Sequence, residues 1–364
     1  MRPGSAPPVR WRFLLLALGG MAMVAALWGG LARMGVLGSV PRPTWGADHG
    51  PLMVGAFLGT VIGLERAVAL GRPWTYLGPA STGLAGVLVL AGGPPLLAQA
   101  LLLLGSLVLL AVFRQILALH SALHTWTMAG GALFWAVGNG LWLGGLPTAR
   151  VVWWWVGFLV LTIAGERLEL SRLLRLPPWA RWTFAAAMGW MALGTFAVTL
   201  EPTGGGRAVG LGLVAVALWL LRYDIAWRRL GAGEPARFAA LCLLGGYIWL
   251  LVGGLLALGY GSPAGGPRYD AMLHAVFVGF VFAMILAHAP IILPGVVGIA
   301  VPFRSTAYLP LALLHLSLAL RVVGDLGGGP RLRAWGGILN TLALLLFVLH
   351  TAWAAQGHRD AVFR

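Results

Sequence analysis

The sequence predicts an all-α, polytopic membrane protein. Hydrophobic residues make up 59% of its 364 residues and charged residues only 10%, whereas a soluble domain carries about 25% charged residues. The apolar runs are about as long as a helix must be to cross a bilayer, and they lack the alternation of barrel strands. We therefore expect a bundle of membrane-spanning helices whose main partner is the lipid bilayer.

Twelve apolar segments are long enough to be helical spans, and gaps rich in Gly and Pro separate them. They are expected to form one transmembrane domain over residues 1–364. Spans 2, 6 and 10 align on Phe57, Phe158 and Phe280, which favours a pseudo-threefold repeat of four-helix units. The expected units are about 11–117, 121–227 and 237–354. The expected spans are 11–33, 49–70, 75–93, 95–117, 121–143, 151–170, 182–200, 208–227, 237–259, 271–293, 307–325 and 334–354.

The net charge of +15 comes entirely from arginine, because the chain has no lysine. A basic chain can indicate nucleic-acid binding, but here the arginines lie in short gaps between apolar segments, as topology signals do. They are more numerous in the gaps on the same side as the N-terminus. This pattern predicts no nucleic-acid partner, cytoplasmic termini and a place in the inner (plasma) membrane of a prokaryote.

Two histidines are expected at the outer membrane surface. His49 opens span 2 and His274 opens span 10. Imidazoles from two helices can hold a planar haem iron from both sides, which gives a low-spin, six-coordinate centre. The alternative is that both are interfacial histidines at helix starts. Small residues near them are expected to lie against the haem edge, and these are Gly50, Gly55, Gly59, Ala275 and Gly279.

Haem propionates need cationic partners, and the candidates at the outer face are Arg268, Arg331 and Arg333. Farther along, Arg321 and Asp325 are four residues apart, so they are expected to pair with each other on one helix face.

A second group of polar residues is expected at the inner surface. His288 follows His274 by 14 residues, so in a regular helix the two would share a face to within about 40°. In the aligned spans, Glu65, Glu166 and His288 occupy one column. His120 and His124 have the i, i+4 spacing that can chelate one metal on a helix face.

The chemistry of this inner group is left open by the residues alone. Histidines with carboxylates suit copper or another transition metal, and a second haem or a quinone site is equally compatible. The alternative is a purely structural role. Glu65 would then pair with Arg66 and Glu166 with Arg167 at helix ends, and His120 and His124 would lie in a loop.

The stretch HGPLM, from His49 to Met53, resembles the His-Gly-x-x-Met pattern on the second helix of haem-copper oxidase subunit I. The stretch HAVFVGFVFAMI, from His274, resembles the tenth helix of that family. The resemblance implies twelve spans and a low-spin haem b between His49 and His274. The family's other histidine motifs are missing here: spans 6 and 7 have no histidine, and Val276 stands two residues after His274. The oxygen-reducing binuclear centre is therefore expected to be absent.

A divergent relative, the NnrS family, is a closer fit, because HAVFVGFVFAMILAHAP is similar to its late-helix pattern. The family's Gly-His-Thr-Gly-Arg segment is not intact in this chain. The resemblance implies one or two haem b groups with a role in electron transfer or in nitric oxide metabolism. Two alternatives remain at this stage. One is a redox subunit that oxidises quinol or serves a redox protein partner, and the other is a cofactor-free, proton-coupled transporter.

Overall fold

The computed structural model describes residues 9–38, 41–42 and 44–362, with side chains as far as Gln356. Over these residues the chain forms helices and connecting turns, with no strand. Eleven helices are long and apolar enough to cross a membrane. The chain therefore has the architecture of a polytopic helical membrane protein. In chain order, with one further helix included as α5, the helices are α1 Val9–Arg33, α2 Pro51–Leu70, α3 Pro73–Ala91, α4 Pro95–Leu119, α5 Leu123–Leu143, α6 Thr148–Leu174, α7 Pro178–Leu200, α8 Pro202–Tyr223, α9 Ala236–Tyr260, α10 Pro267–Val297, α11 Ser305–Leu326 and α12 Pro330–Gln356.

Helix α5 matches one of the twelve predicted spans, but its mean hydropathy is too low for it to count among the eleven candidate membrane helices. It has 21 residues and is roughly 31 Å long, which is close to the thickness of a hydrocarbon core. Its sequence LHTWTMAGGALFWAVGNGLWL contains Trp, Gly, Thr, His and Asn, and these lower its mean hydropathy. The helix that the sequence predicts is thus present, while its passage through the membrane stays a prediction.

The helices belong to two compact units. The first comprises the described residues up to Phe158 together with Gly295–Gly298, and the second comprises Leu159–Pro294 and the described residues from Ile299 onwards. His49 belongs to the first unit and His274 to the second. In the first unit α1, α2, α3, α4 and α5 pack on one another, and in the second α8 lies between α7 and α9.

The start of α8 corrects the sequence prediction, which placed it at residue 208. The helix begins at Pro202, directly after the N-cap Glu201, whose carboxylate accepts the backbone N–H groups of Thr203 and Gly204. These N–H groups hold the pKa of Glu201 below its ordinary value. The glycines that looked like a loop are helical instead.

Those glycines are needed because neighbouring backbones approach them closely. A Cβ on Gly205 would overlap the backbone of Val198 in α7, and one on Gly210 would overlap the backbone of Leu258 in α9. Small residues at such contacts are how membrane helices pack closely without a hydrophobic driving force between them. The run GGG is therefore part of a helix–helix seam.

Two of the helices contain a π-helical segment that the sequence analysis did not predict. In α2 it runs over Pro51–Leu58 and in α10 over Ala275–Phe282. Helix α6, which aligns with these two in the expected repeat, is regular from Thr148 to Ser171. The π segments thus occur in the two aligned helices that carry the candidate haem histidines.

Candidate functional site

His49 lies against α1, two residues before the π segment of α2. Its Nδ1 is 2.6 Å from the carbonyl oxygen of Ala26. A carbonyl only accepts, so Nδ1 must carry the proton and donate. In the neutral ring, Nε2 then carries the lone pair with which histidine binds a metal. Gly30 leaves room for the ring, since a Cβ at that position would lie 3.0 Å from His49 Cε1.

His274 has the same local arrangement in the second unit. It is the last residue of the α-helical part Pro267–His274, and the π segment follows directly. Its Nδ1 lies 2.8 Å from the carbonyl oxygen of Asp270 and 3.4 Å from that residue's Oδ1. Here too Nδ1 donates, so Nε2 of the neutral ring holds the lone pair.

The two π segments resemble each other beyond their position. Each has eight residues, and each has a glycine in it or directly after it that packs on a tryptophan. A Cβ on Gly59 would overlap the Trp135 ring, and one on Gly279 would overlap Trp249. Insertions that produce π turns are frequent at functional sites, so both segments are candidate functional segments.

Three of the glycines expected at the haem edge have close neighbours in the direction of a Cβ. Gly55 faces Leu102, while Gly59 and Gly279 face tryptophans, all within their own units. Met53 is buried in the π segment of α2. Arg268 is exposed, and its guanidinium lies 4.7 Å from the centre of the Tyr260 ring. The glycine-lined haem edge stays a prediction, and at these three positions the Cβ direction is the one that neighbouring side chains occupy.

The π segment of α10 also changes the expected relation between His274 and His288. A π turn holds one more residue than an α turn, so it rotates the later residues of the helix by roughly 100° relative to a regular helix. The offset of about 40° expected for a regular helix therefore becomes roughly 140°. The prediction of one shared face is wrong. His288 again places Nδ1 on a carbonyl, that of Met284, at 2.7 Å.

The pair His120 and His124 is also arranged differently from the prediction. Helix α4 ends at Leu119, and α5 begins at Leu123, so His120 lies in the connection and is exposed. The two residues therefore do not share one helical face. Their rings are nevertheless adjacent, with centroids 5.4 Å apart.

Of the two glutamates predicted at the inner surface, Glu65 lies between one and two turns before the end of α2, and Glu166 lies more than two turns before the end of α6. Glu65 Oε1 is 3.8 Å from Arg66 Nη2, and the Arg66 guanidinium lies over the Phe113 ring. Glu166 is half-buried in α6. Within the part of the chain that the structure describes, no three His, Cys, Asp or Glu side chains are grouped as they would have to be to hold a metal ion by themselves.

Arg167, next to Glu166, binds Asp224 through two parallel hydrogen bonds of 2.8 Å each. Both side chains are almost fully buried, and Asp224 also accepts the backbone N–H of Ala226. This pair joins α6 to the end of α8. Arg167 therefore has a strong partner in Asp224. The alternative of an ion pair at the helix end had assigned it the neighbouring Glu166 instead.

An ionic network that the sequence analysis missed lies beside His274. Asp270 Oδ2 accepts hydrogen bonds from Arg321 at 2.7 Å and from Arg333 at 3.2 Å. Arg333 Nε also lies 2.7 Å from Asp325 Oδ1, as an ion pair without the geometry of a hydrogen bond. The expected Arg321–Asp325 pair is therefore replaced by Arg321–Asp270. The spacing of Asp270 and His274, four residues apart on one helix face, is the signal that could have revealed it.

These features define a multi-pass helical membrane protein in which two histidines share a backbone-fixed tautomer and a π-helical neighbour. The chain belongs to the family described as Domain of unknown function (DUF8744), which it matches over residues 12–356. None of the curated proteins matches the chain.

Proposed function

We propose that the protein is a haem-binding membrane protein, related to haem-copper oxidase subunit I and to NnrS, with His49 and His274 as the axial ligands of one haem b. The proposed role is electron transfer or a nitric-oxide-related function. The observation that carries the proposal is that both histidines donate from Nδ1 to a backbone carbonyl and lie within two residues of the start of a π-helical segment.

The donor set fits this group. A ligating histidine almost always uses its other ring nitrogen to donate to a carbonyl, a carboxylate or water, which fixes the ring and its tautomer. Both His49 and His274 show this feature, although they lie in different parts of the fold. The acceptor is the carbonyl of Ala26 for His49 and that of Asp270 for His274. A haem held by His49 and His274 would supply one-electron transfer.

The protein's own residues have two tasks in this account. Ala26 and Asp270 hold the imidazoles in the ligating tautomer through their carbonyl groups. Trp135 packs on Gly59 directly after the π segment of α2, and Trp249 packs on Gly279 within that of α10, so both fix the helix path beyond each histidine. The residues that hold His49 all belong to the first unit, and those that hold His274 all belong to the second. Each histidine is therefore ordered by neighbours from its own unit.

Haem content of the purified full-length protein tests the proposal. The wild-type protein should show a low-spin b-type spectrum that sharpens on reduction, and pyridine haemochrome analysis should identify haem b. His49→Ala and His274→Ala should lose most of the haem. His350→Ala is the matched control, because His350 bonds the Thr306 hydroxyl near the exposed end of α12 and should leave the spectrum unchanged.

Added carbon monoxide or nitric oxide separates the two roles. A reduced spectrum that does not change with either gas supports electron transfer. A shifted spectrum means that the gas displaces one of the two histidines from the iron, and it supports the nitric-oxide-related role. A colourless wild-type protein overturns the proposal and leaves the proton-coupled transporter.

A second proposal concerns copper or another transition metal at the inner side. The adjacent rings of His120 and His124 favour it, because two imidazoles at this separation can converge on one ion. Glu65, Glu166 and His288 remain the further ligands that the sequence predicts. Metal analysis of the wild type and of His120→Ala tests this, with loss of a stoichiometric metal expected in the variant. A wild-type protein without a stoichiometric metal overturns it.

A further inference from the structure

We propose that Asp270 is a positioning residue that lowers the reduction potential of the iron bound by His274. The inference rests on the proposed function, because it assumes His274 as an axial ligand. It adds a specific role for a carboxylate that the sequence resemblance does not include.

Asp270 contacts His274 in two ways. Its backbone carbonyl accepts the Nδ1 proton at 2.8 Å, and its side-chain Oδ1 lies 3.4 Å from the same nitrogen. The carboxylate therefore adds negative charge at the proton of the ligand. A carboxylate in this place raises the basicity of a ligating imidazole, and a more basic ligand favours the oxidised metal.

The carboxylate is held in place by cations from two other helices. Its Oδ2 binds Arg321 of α11 and Arg333 of α12, so Oδ1 is the oxygen that faces the histidine. Most of the Asp270 and Arg321 side chains is buried, which strengthens charge interactions relative to water. Charge-assisted hydrogen bonds of this kind fix geometry as well as ionisation.

His49 offers an internal comparison, because its Nδ1 contact is with the carbonyl of Ala26. Asp270, by contrast, presents both a carbonyl and a carboxylate to the Nδ1 of His274. At His274, a single substitution of Asp270 therefore changes the charge next to Nδ1.

Spectroelectrochemical titration of the purified full-length protein tests the inference. Asp270→Asn keeps the backbone carbonyl and the side-chain shape but removes the charge, so the midpoint potential should shift to a more positive value. Asp325→Asn is the matched control. It removes a carboxylate from the same network without touching His274, and its shift should be clearly smaller. Asp270→Glu should lie nearer to the wild type than Asp270→Asn does.

If Asp270→Asn does not fold, the midpoint potential of Arg333→Gln tests the inference instead. This variant removes one cation from the carboxylate and leaves Arg321 in place, so the potential should shift to a more negative value. Equal shifts in Asp270→Asn and Asp325→Asn would overturn the inference, as would a positive shift in Arg333→Gln. A wild-type protein with haem that His274→Ala does not remove, or a wild type without haem, overturns the proposed function and this inference with it.

Discussion

At the scale of single residues, the clearest feature is that buried polar side chains are arranged by partners from distant parts of the sequence. Arg167 binds Asp224 over 57 positions, and Asp270 binds Arg321 over 51. Local spacing could not reveal these pairs. It offered Glu166 for Arg167, as the alternative to a metal site, and Asp325 for Arg321, because these residues are adjacent or four apart in the sequence. In the structure, the partners come from neighbouring helices.

The Arg167–Asp224 pair yields a prediction about stability. Arg167→Met leaves a buried carboxylate without its cation, which should destabilise the protein by about 3–5 kcal/mol. Thermal unfolding in detergent measures this as a fall in Tm.

The control for this prediction is the double variant Arg167→Met/Asp224→Asn. It removes both charges and keeps an amide oxygen for the backbone N–H of Ala226, so it should recover much of the lost stability. If the double variant is as unstable as the single one, burial of an unpaired charge is not the cause.

At the scale of helices, the main difference from the sequence analysis is the pair of π segments. An extra residue in a turn changes which face every later side chain occupies, and a regular periodicity of 100° per residue cannot show it. The relation between His274 and His288 was mispredicted for this reason. By contrast, the positions of the helices could be predicted from apolar length alone, and only α8 began well before its expected start.

Packing at the π segment of α10 yields a second prediction. Gly279→Ala would place a methyl group in the space of Trp249, so it should cost about 1–3 kcal/mol of stability. Gly189→Ala is the control, because a Cβ there meets no atom within 4 Å, and alanine favours a helix interior over glycine. Thermal unfolding of both variants checks the prediction. Equal Tm values for the two would contradict the packing argument.

At the scale of the whole molecule, composition predicted the class of protein, and the eleven apolar helices agree with it. The threefold arrangement of units and the cytoplasmic position of both termini stay predictions. For the haem site, the sequence alone supplied two candidate histidines and a resemblance to haem-copper oxidase subunit I and to NnrS. The Nδ1 contacts, the π segments and the Asp270 network depend on which atoms meet in space, and a sequence pattern does not contain that information.

The number of membrane crossings can be tested through α5. Cys242, the chain's only cysteine, is buried, and Cys242→Ser provides a cysteine-free background. Ser121→Cys and Gly145→Cys then mark the two ends of α5. If α5 crosses the membrane, a membrane-impermeant maleimide added to intact spheroplasts should label one variant and not the other.

Labelling of both positions from the same side contradicts twelve crossings. Eleven crossings would place the two termini on opposite sides of the membrane. A tag at each terminus, probed with protease in spheroplasts and in inverted vesicles, gives an independent check.

Low-temperature electron paramagnetic resonance of the oxidised protein tests directly whether His49 and His274 hold one haem. The wild type should give a low-spin ferric signal typical of two histidine ligands. Any haem retained by His49→Ala or by His274→Ala should give a high-spin signal, because each variant removes one axial ligand. An unchanged low-spin signal in either variant would contradict the assignment of that histidine, and a wild-type protein without a haem signal would contradict the account as a whole.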